Sequence, residues 1–313
     1  MKKLLHLQLL PLLSGVQNFS LHLLDGLPTE DYDIHVAARP GGALVDAVKS
    51  RGWRFIPLPA MVHPISPLDL ISFLHLILIF RRERYDIVHT NSSKPGLLGR
   101  LAATLCRVPL IVHTSHGMPF QQGQNQLKYK LFIALEWLAN RFCHKVVYVN
   151  HSDRLRCQKL MLVPAAKATT IYNALPKAIT DRLSAIAKAR TTANDDTITI
   201  GSTMRFSTQK NAVNLISCAC HACKEEPRLR FVIIGDGEHL KLCRQIVRSH
   251  ALNSRILLPG WDAQVTDWLP RFDAFILYSR WEAQPFSIIE AMYSGLPVIG
   301  SDIPSIAELI DAR

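Results

Sequence analysis

Short apolar runs alternate with longer stretches of helical periodicity along the whole chain. In the first half, the runs at 3–10, 33–39, 54–59, 86–90, 110–114, 145–150 and 169–172 have the length and aliphatic, β-branched character of strands. Between them, 17–24, 68–84, 96–105 and 127–142 carry apolar positions at helical spacing. The strands are apolar almost throughout, as they are when helices cover both faces of a parallel sheet. The polar stretch 187–196 breaks the pattern, and strands resume at 197–203, 230–234, 255–258, 274–278 and 297–300. The expected architecture is α/β: two doubly wound domains at 1–175 and 197–313, joined by a linker over 176–196. In such sheets ligands bind beyond the carboxyl ends of the strands, so residues just past each strand are the candidates for chemistry.

Composition narrows this picture. With 313 residues, 48% hydrophobic and 19% charged, the chain is ordinary globular protein with room for two cores. Two lysines before an apolar run could open a secretory leader, but His6 and Gln8 interrupt that run and no small-residue cleavage site follows, so a first buried strand is expected. Seven scattered cysteines carry no disulfide framework and fit a reducing cytoplasm. The net charge of +11 favours an anionic partner: a phosphorylated substrate, a membrane surface or nucleic acid. Nucleic acid is not expected, because no zinc-finger spacing, aromatic RNA-binding signature or long basic run is present. The apolar helix at 68–84 ends in Arg81, Arg82 and Arg84, which suits either packing on the sheet or contact with anionic lipid.

Several motifs carry candidate chemistry. Gly235 and Gly237 follow a strand and precede a helix, as in a phosphate-binding loop, but Leu240 stands where a dinucleotide fingerprint needs its third glycine, so a tight turn explains them as well. Arg205 and Lys210 follow the first strand of the second half, where cations can meet a diphosphate or simply be solvated. His113 and His116 end a first-half strand, and His116, beside Gly117, is the one at the carboxyl edge. Cys218, Cys220, His221 and Cys223 crowd together, yet the cysteines do not share one helix face, so no metal is expected there. In "SRWEAQPFSIIEAMYSGLPVIGSD" (279–302), Glu282 and Glu290 frame the start of a helix, and Ser287 with Glu290 spells a capping box.

The order of these pieces resembles the retaining nucleotide-sugar glycosyltransferases of family 4. The stretches that carry the resemblance are "LSGVQNF", "YDIVHTNSSKPGLLGRLAATL", "VHTSHG", "TIYNAL", "RFSTQK", "FVIIGDGEHL", "LLPGW" and the glutamate-bearing segment just quoted. The resemblance implies the GT-B arrangement, two Rossmann-like domains facing a cleft. It implies that Arg205 and Lys210 hold a donor diphosphate with the backbone at Phe286 and Ser287, that Glu282 contacts the transferred sugar, and that Glu290 meets the ribose hydroxyls. His116 would line the reaction centre and Gly15 would let its loop approach the phosphate. Glu290 is then expected to face the ligand, leaving Ser287 to cap the helix alone. No cofactor and no metal are implied; the nucleotide-diphosphate sugar is a co-substrate, and the acceptor is lipid-linked or a saccharide. Bacterial lipopolysaccharide or capsule assembly, at the cytoplasmic face of the inner membrane, is the implied setting.

Departures from the family pattern qualify this. Met204 and Asn211 stand where glycines are usual, and Val16 and Gln17 where a second glycine and a glutamate are common. Relatives also continue past the equivalent of Arg313 through another strand and a long helix, so a shortened relative that binds nucleotide sugar or a membrane partner without turnover is the alternative expectation. A sugar-nucleotide epimerase on the same fold is a third.

Overall fold

In the computed structural model the described residues are 1–62, 65–121, 124–189 and 196–311. Residues 190–195, most of the polar stretch expected to link the domains, lie outside them. The chain divides into two units, 1–173 and 174–313.

The first unit runs β1 (Lys2–Leu7), α1 (Gly15–Asp25), β2 (Tyr32–Ala38), α2 (Ala43–Lys49), β3 (Arg54–Pro57), α3 (Leu68–Glu83), β4 (Ile87–Asn91), α4 (Ser93–Leu105), β5 (Leu110–Ser115), α5 (Gln126–Arg141), β6 (Lys145–Tyr148), α6 (His151–Lys159) and β7 (Ala168–Thr170). Its seven strands pair in parallel in the order β3-β2-β1-β4-β5-β6-β7. Strand order reverses direction between β1 and β4, which makes their carboxyl ends the switch point of the sheet. Alternation along β1 sends Leu5 and Leu7 to one face, into a core with Val88, Phe80 and Ile111, and Leu4 to the other, into a core with Val36, Leu44 and Val48. Both faces are therefore covered, which is why these strands read as unbroken apolar runs.

The second unit runs α7 (Lys177–Ala189), β8 (Ile198–Thr203), α8 (Ala212–Glu225), β9 (Leu229–Ile234), α9 (Leu240–Ser249), β10 (Ile256–Gly260), β11 (Ala274–Leu277), α10 (Phe286–Tyr293), β12 (Val298–Gly300) and α11 (Pro304–Ile310). Its parallel sheet has the order β10-β9-β8-β11-β12, with the switch point between β8 and β11. The stretch 176–196, expected as a linker, contains α7: Leu183 is fully buried in the second core, with Ile179 and Ile186 packed against that core. Cys220 and Cys223 are also core residues and Cys218 is exposed, so the cysteine cluster is one helix seen from two sides. Among the described residues, no group of three or more His, Cys, Asp or Glu is placed to hold a metal ion, and no helix is long and apolar enough to cross a membrane.

Candidate functional site

Each unit carries candidate residues at the switch point of its own sheet. In the second unit, β8 leads into the loop holding Arg205 and Lys210, and β11 leads into the loop holding Glu282. Backbone and side-chain bonds stitch the two loops together. Arg280 N–H donates to Gln209 O (2.8 Å), Gln209 Nε2 to Trp281 O (3.1 Å), and Arg280 Nε to Asn211 Oδ1 (3.1 Å). Asn211 takes φ 54°, the left-handed conformation glycine adopts freely and asparagine tolerates, so the departure from glycine costs little.

Within this frame the ammonium of Lys210 is paired with the carboxylate of Glu282, with side chains only 17% and 7% exposed. Ser279 Oγ donates to the same Glu282 oxygen at 2.7 Å, and Ser305 Oγ donates to the Glu282 carbonyl at 2.9 Å. Arg205 does not join this pair: its side chain is 75% exposed and lies 3.7 Å from Glu238. The sequence places Lys210 and Glu282 far apart, and only the adjacency of β8 and β11 brings them together.

The glycine pair after β9 has a structural explanation. Met204 N–H donates to Ile234 O, Phe206 N–H to Asp236 O, and His239 N–H to Phe206 O. A Cβ on Gly235, at φ 141°, would overlap Met204 O, and one on Gly237, at φ 152°, would press on the Phe206 backbone. Both glycines let this turn lie flat against the loop that carries Arg205 and Lys210.

Helix α10 starts two residues earlier than a capping box on Ser287 requires. Pro285 is its N-cap, no side chain among the described residues caps it, and Pro285 O accepts from Ile288 N–H at 3.2 Å. Ser287 is therefore the second residue inside the helix, which corrects the expectation that it caps. The Glu290 carboxylate is not folded back on Ser287 N–H; among the described residues it has no hydrogen-bond partner, and burial pushes it up to about 7. A half-neutral, unpartnered carboxyl one turn into a helix is poised to accept bonds from hydroxyls.

In the first unit, register aligns His6 with His89 and Leu7 with Thr90 across β1 and β4. Alternation puts His6 and Gln8 beside His89 and Asn91 on one face. His116, just past β5, reaches back to this group: its Nε2 lies 3.0 Å from Asn91 Oδ1, and its ring packs edge-on to Phe19 of α1. Burial drives His116 down to about 3 and His89 to about 4, so both rings are neutral at physiological pH. His113 points the other way, held by Thr90 Oγ1 at 2.9 Å and seated on Gly96, where a Cβ would meet its ring. It is a structural histidine under α4. Gly15 is the first residue of α1, with Ser14 as its extended N-cap. No sequence motif marks His6, Gln8, Asn91 or Ser279 as site residues. Polar residues inside the apolar run 3–10 were the available signal for His6 and Gln8, and a place just past the run 86–90 for Asn91.

Comparison with known proteins adds identity to this geometry. Residues 13–177 match the family model described as Glycosyltransferase Family 4, and residues 185–313 match the one described as Glycosyl transferases group 1. The UDP-Gal:alpha-D-GlcNAc-diphosphoundecaprenol alpha-1,3-galactosyltransferase of Escherichia coli is 33% identical, over 96% of this chain and 79% of its own length. The O-antigen biosynthesis glycosyltransferase WclY of Escherichia coli is 24% identical over 73% of this chain and 64% of its own. A crystal structure of Anabaena Alr3699/HepE in complex with UDP and glucose matches with a TM-score of 0.78 at 19% identity, over 99% of this chain and 83% of that one. That likeness shows the fold.

Proposed function

The chain belongs to Glycosyltransferase Family 4, and we propose that it moves a hexose from a UDP-hexose donor to a lipid-linked saccharide acceptor in the assembly of a bacterial surface polysaccharide. The observation that carries the reading is the Lys210–Glu282 pair at the β8/β11 switch point, a preformed cation and acceptor where a doubly wound sheet takes its ligand. UDP-galactose is the first donor to test, because the 33% identical relative is named for it.

The residues suit this chemistry. A departing nucleoside diphosphate gains negative charge, and a cation already held in a largely dry site stabilises that charge. Lys210 fills that role, Arg205 swings in from solvent as a second cation, and the backbone N–H groups at Phe286 and Ser287 add the positive end of α10. Glu282 accepts from hydroxyls of the transferred sugar once Lys210 turns to the diphosphate. Glu290 accepts from the two ribose hydroxyls, and His116 is the residue of the first unit assigned to the transferred sugar. Gly15, at the start of α1, brings its loop to the phosphate. These parts do the work without metal or cofactor, and the anomeric configuration is retained.

The acceptor side calls for a membrane. The outward row of α3, Leu70, Ile71, Leu74 and Leu78, is exposed by 52–64% per residue, while its inward side holds Ser72, Leu76 and Phe80. Arg81, Arg82 and Arg84 close that row. An aliphatic face ending in arginines fits the headgroup region of an anionic bilayer, and the enzyme is a peripheral protein of the inner membrane's cytoplasmic face. A thermal-shift screen of nucleotide diphosphates and their sugars tests the donor site. Stabilisation by UDP and UDP-hexoses is expected, and no stabilisation by any of them would overturn the assignment.

A further inference from the structure

A chain of hydrogen bonds joins the start of α1 to His116 through both strands at the first switch point. Ser14 Oγ donates to Gln17 Oε1, Gln17 Nε2 to Gln8 Oε1 at 3.2 Å, and Gln8 Nε2 to His6 Nε2 at 3.1 Å. Asn91 Nδ2 donates to the same His6 nitrogen at 2.9 Å, and Asn91 Oδ1 faces His116 Nε2 at 3.0 Å. The direction of this chain is determined at one point. Asn91 Nδ2 also lies 3.5 Å from the Leu7 carbonyl, which can only accept, so the NH2 end of the amide faces β1 and its oxygen faces His116. An amide oxygen opposite Nε2 requires the proton to sit on Nε2. His6 Nε2, approached by two N–H donors, must be bare, which puts the His6 proton on Nδ1, a buried atom with no hydrogen-bond partner among the described residues.

From this geometry we infer that Asn91 and His6 are positioning residues that hold His116 as its Nε2–H tautomer with a bare Nδ1, and that Gln8 and Gln17 carry the same direction on to the start of α1. The place of His116 at the donor site rests on the function proposed above; its tautomer does not. The chemical consequence is specific. His116 offers an acceptor, suited to a sugar hydroxyl, and its one N–H is already engaged by Asn91, so it is not a general acid for the departing diphosphate.

Gln17 is where direction can be reversed. A carboxylate there can only accept, so Gln17→Glu makes Gln8 turn its NH2 toward residue 17 and its oxygen toward His6 Nε2. His6 must then carry its proton on Nε2, and Asn91 turns over to accept it, giving up its longer contact with the Leu7 carbonyl for the shorter one with His6, so that the Asn91 NH2 now faces His116. The His116 proton leaves Nε2, and one from solvent takes Nδ1.

Long-range proton–nitrogen correlation on the unliganded, histidine-labelled protein at neutral pH reads this directly, with the His116 ring assigned by its loss in His116→Gln. The expected wild-type spectrum shows His116 protonated at Nε2 and His6 at Nδ1, and Gln17→Glu moves both protons to the opposite nitrogens. Asn91→Asp carries the same test without touching α1: it keeps an acceptor toward His116, which stays Nε2–H, and removes the donor toward His6, which shifts. A wild-type His116 protonated at Nδ1, or a Gln17→Glu spectrum with both rings unchanged, overturns the inference. These readouts need no substrate, so they stand or fall apart from transferase activity.

Discussion

The ammonium of Lys210 and the carboxylate of Glu282 form a nearly buried ion pair between loops that follow β8 and β11. Seventy-two positions separate them in sequence, and parallel pairing of two non-consecutive strands joins them. Removing one member leaves the other charged in a site with little water, which costs about 3–5 kcal/mol, whereas removing both charges together costs much less. Lys210→Ala should therefore lower unfolding stability in urea by a few kcal/mol, and Lys210→Met with Glu282→Gln should recover most of it. Both variants should lose donor turnover. A double variant as unstable as Lys210→Ala would show that the pair is not coupled.

Glu290 gives a pH dependence. Its folded value of about 7 lies above its ordinary range because burial disfavours the charged form. Stability from this group is therefore full below the unfolded value and lost as pH rises through about 7, a difference of about 3 kcal/mol. Glu290→Gln should raise the melting temperature of the unliganded protein at pH 8 and leave it nearly unchanged at pH 4.5. Two ribose hydroxyls donating to Glu290 favour its ionised form, so UDP-hexose affinity should rise about tenfold from pH 6 to pH 8 in the wild type and stay flat in Glu290→Gln. Calorimetry at the two pH values checks this, and equal slopes would remove Glu290 from the ribose.

Gly235→Ala tests how the donor loop is supported. The new Cβ would collide with the Met204 carbonyl at a positive φ, at a cost of at least about 2 kcal/mol. It should also weaken UDP binding by displacing the loop that carries Arg205 and Lys210. Binding at full affinity would mean the turn is independent of that loop.

Much of this was legible beforehand, for identifiable reasons. Strands covered on both faces leave unbroken apolar runs, so the strands of both sheets could be marked from sequence, while their order could not. Lys210, Glu282, Glu290 and His116 stood out because each follows a strand or opens a helix. What sequence did not yield depends on tertiary context. The start of α10 is set by Pro285 and the path of the loop before it, so Ser287-Ile288-Ile289-Glu290 reads as a capping box two residues out of register. Helix α7 was hidden by the polar residues after it, although Ile179, Leu183 and Ile186 fall at helical spacing. His6 and Gln8 looked like interruptions of a strand, because only β4 beside β1 shows what they bond to.

The outward row of α3 predicts a separable membrane function. Leu74→Glu with Leu78→Glu should abolish co-sedimentation with vesicles containing anionic lipid while leaving UDP-hexose affinity unchanged. Unaltered sedimentation would move the lipid contact elsewhere.

The most direct measurement is transfer itself: purified chain, radiolabelled UDP-galactose and other UDP-hexoses, and a polyprenyl-diphosphate-linked saccharide, with label followed into the lipid fraction. The expected result is acceptor-dependent transfer with retained anomeric configuration, lost by at least about a hundredfold in Glu282→Gln. Donor epimerised without an acceptor, or full transfer by Glu282→Gln, would contradict the account.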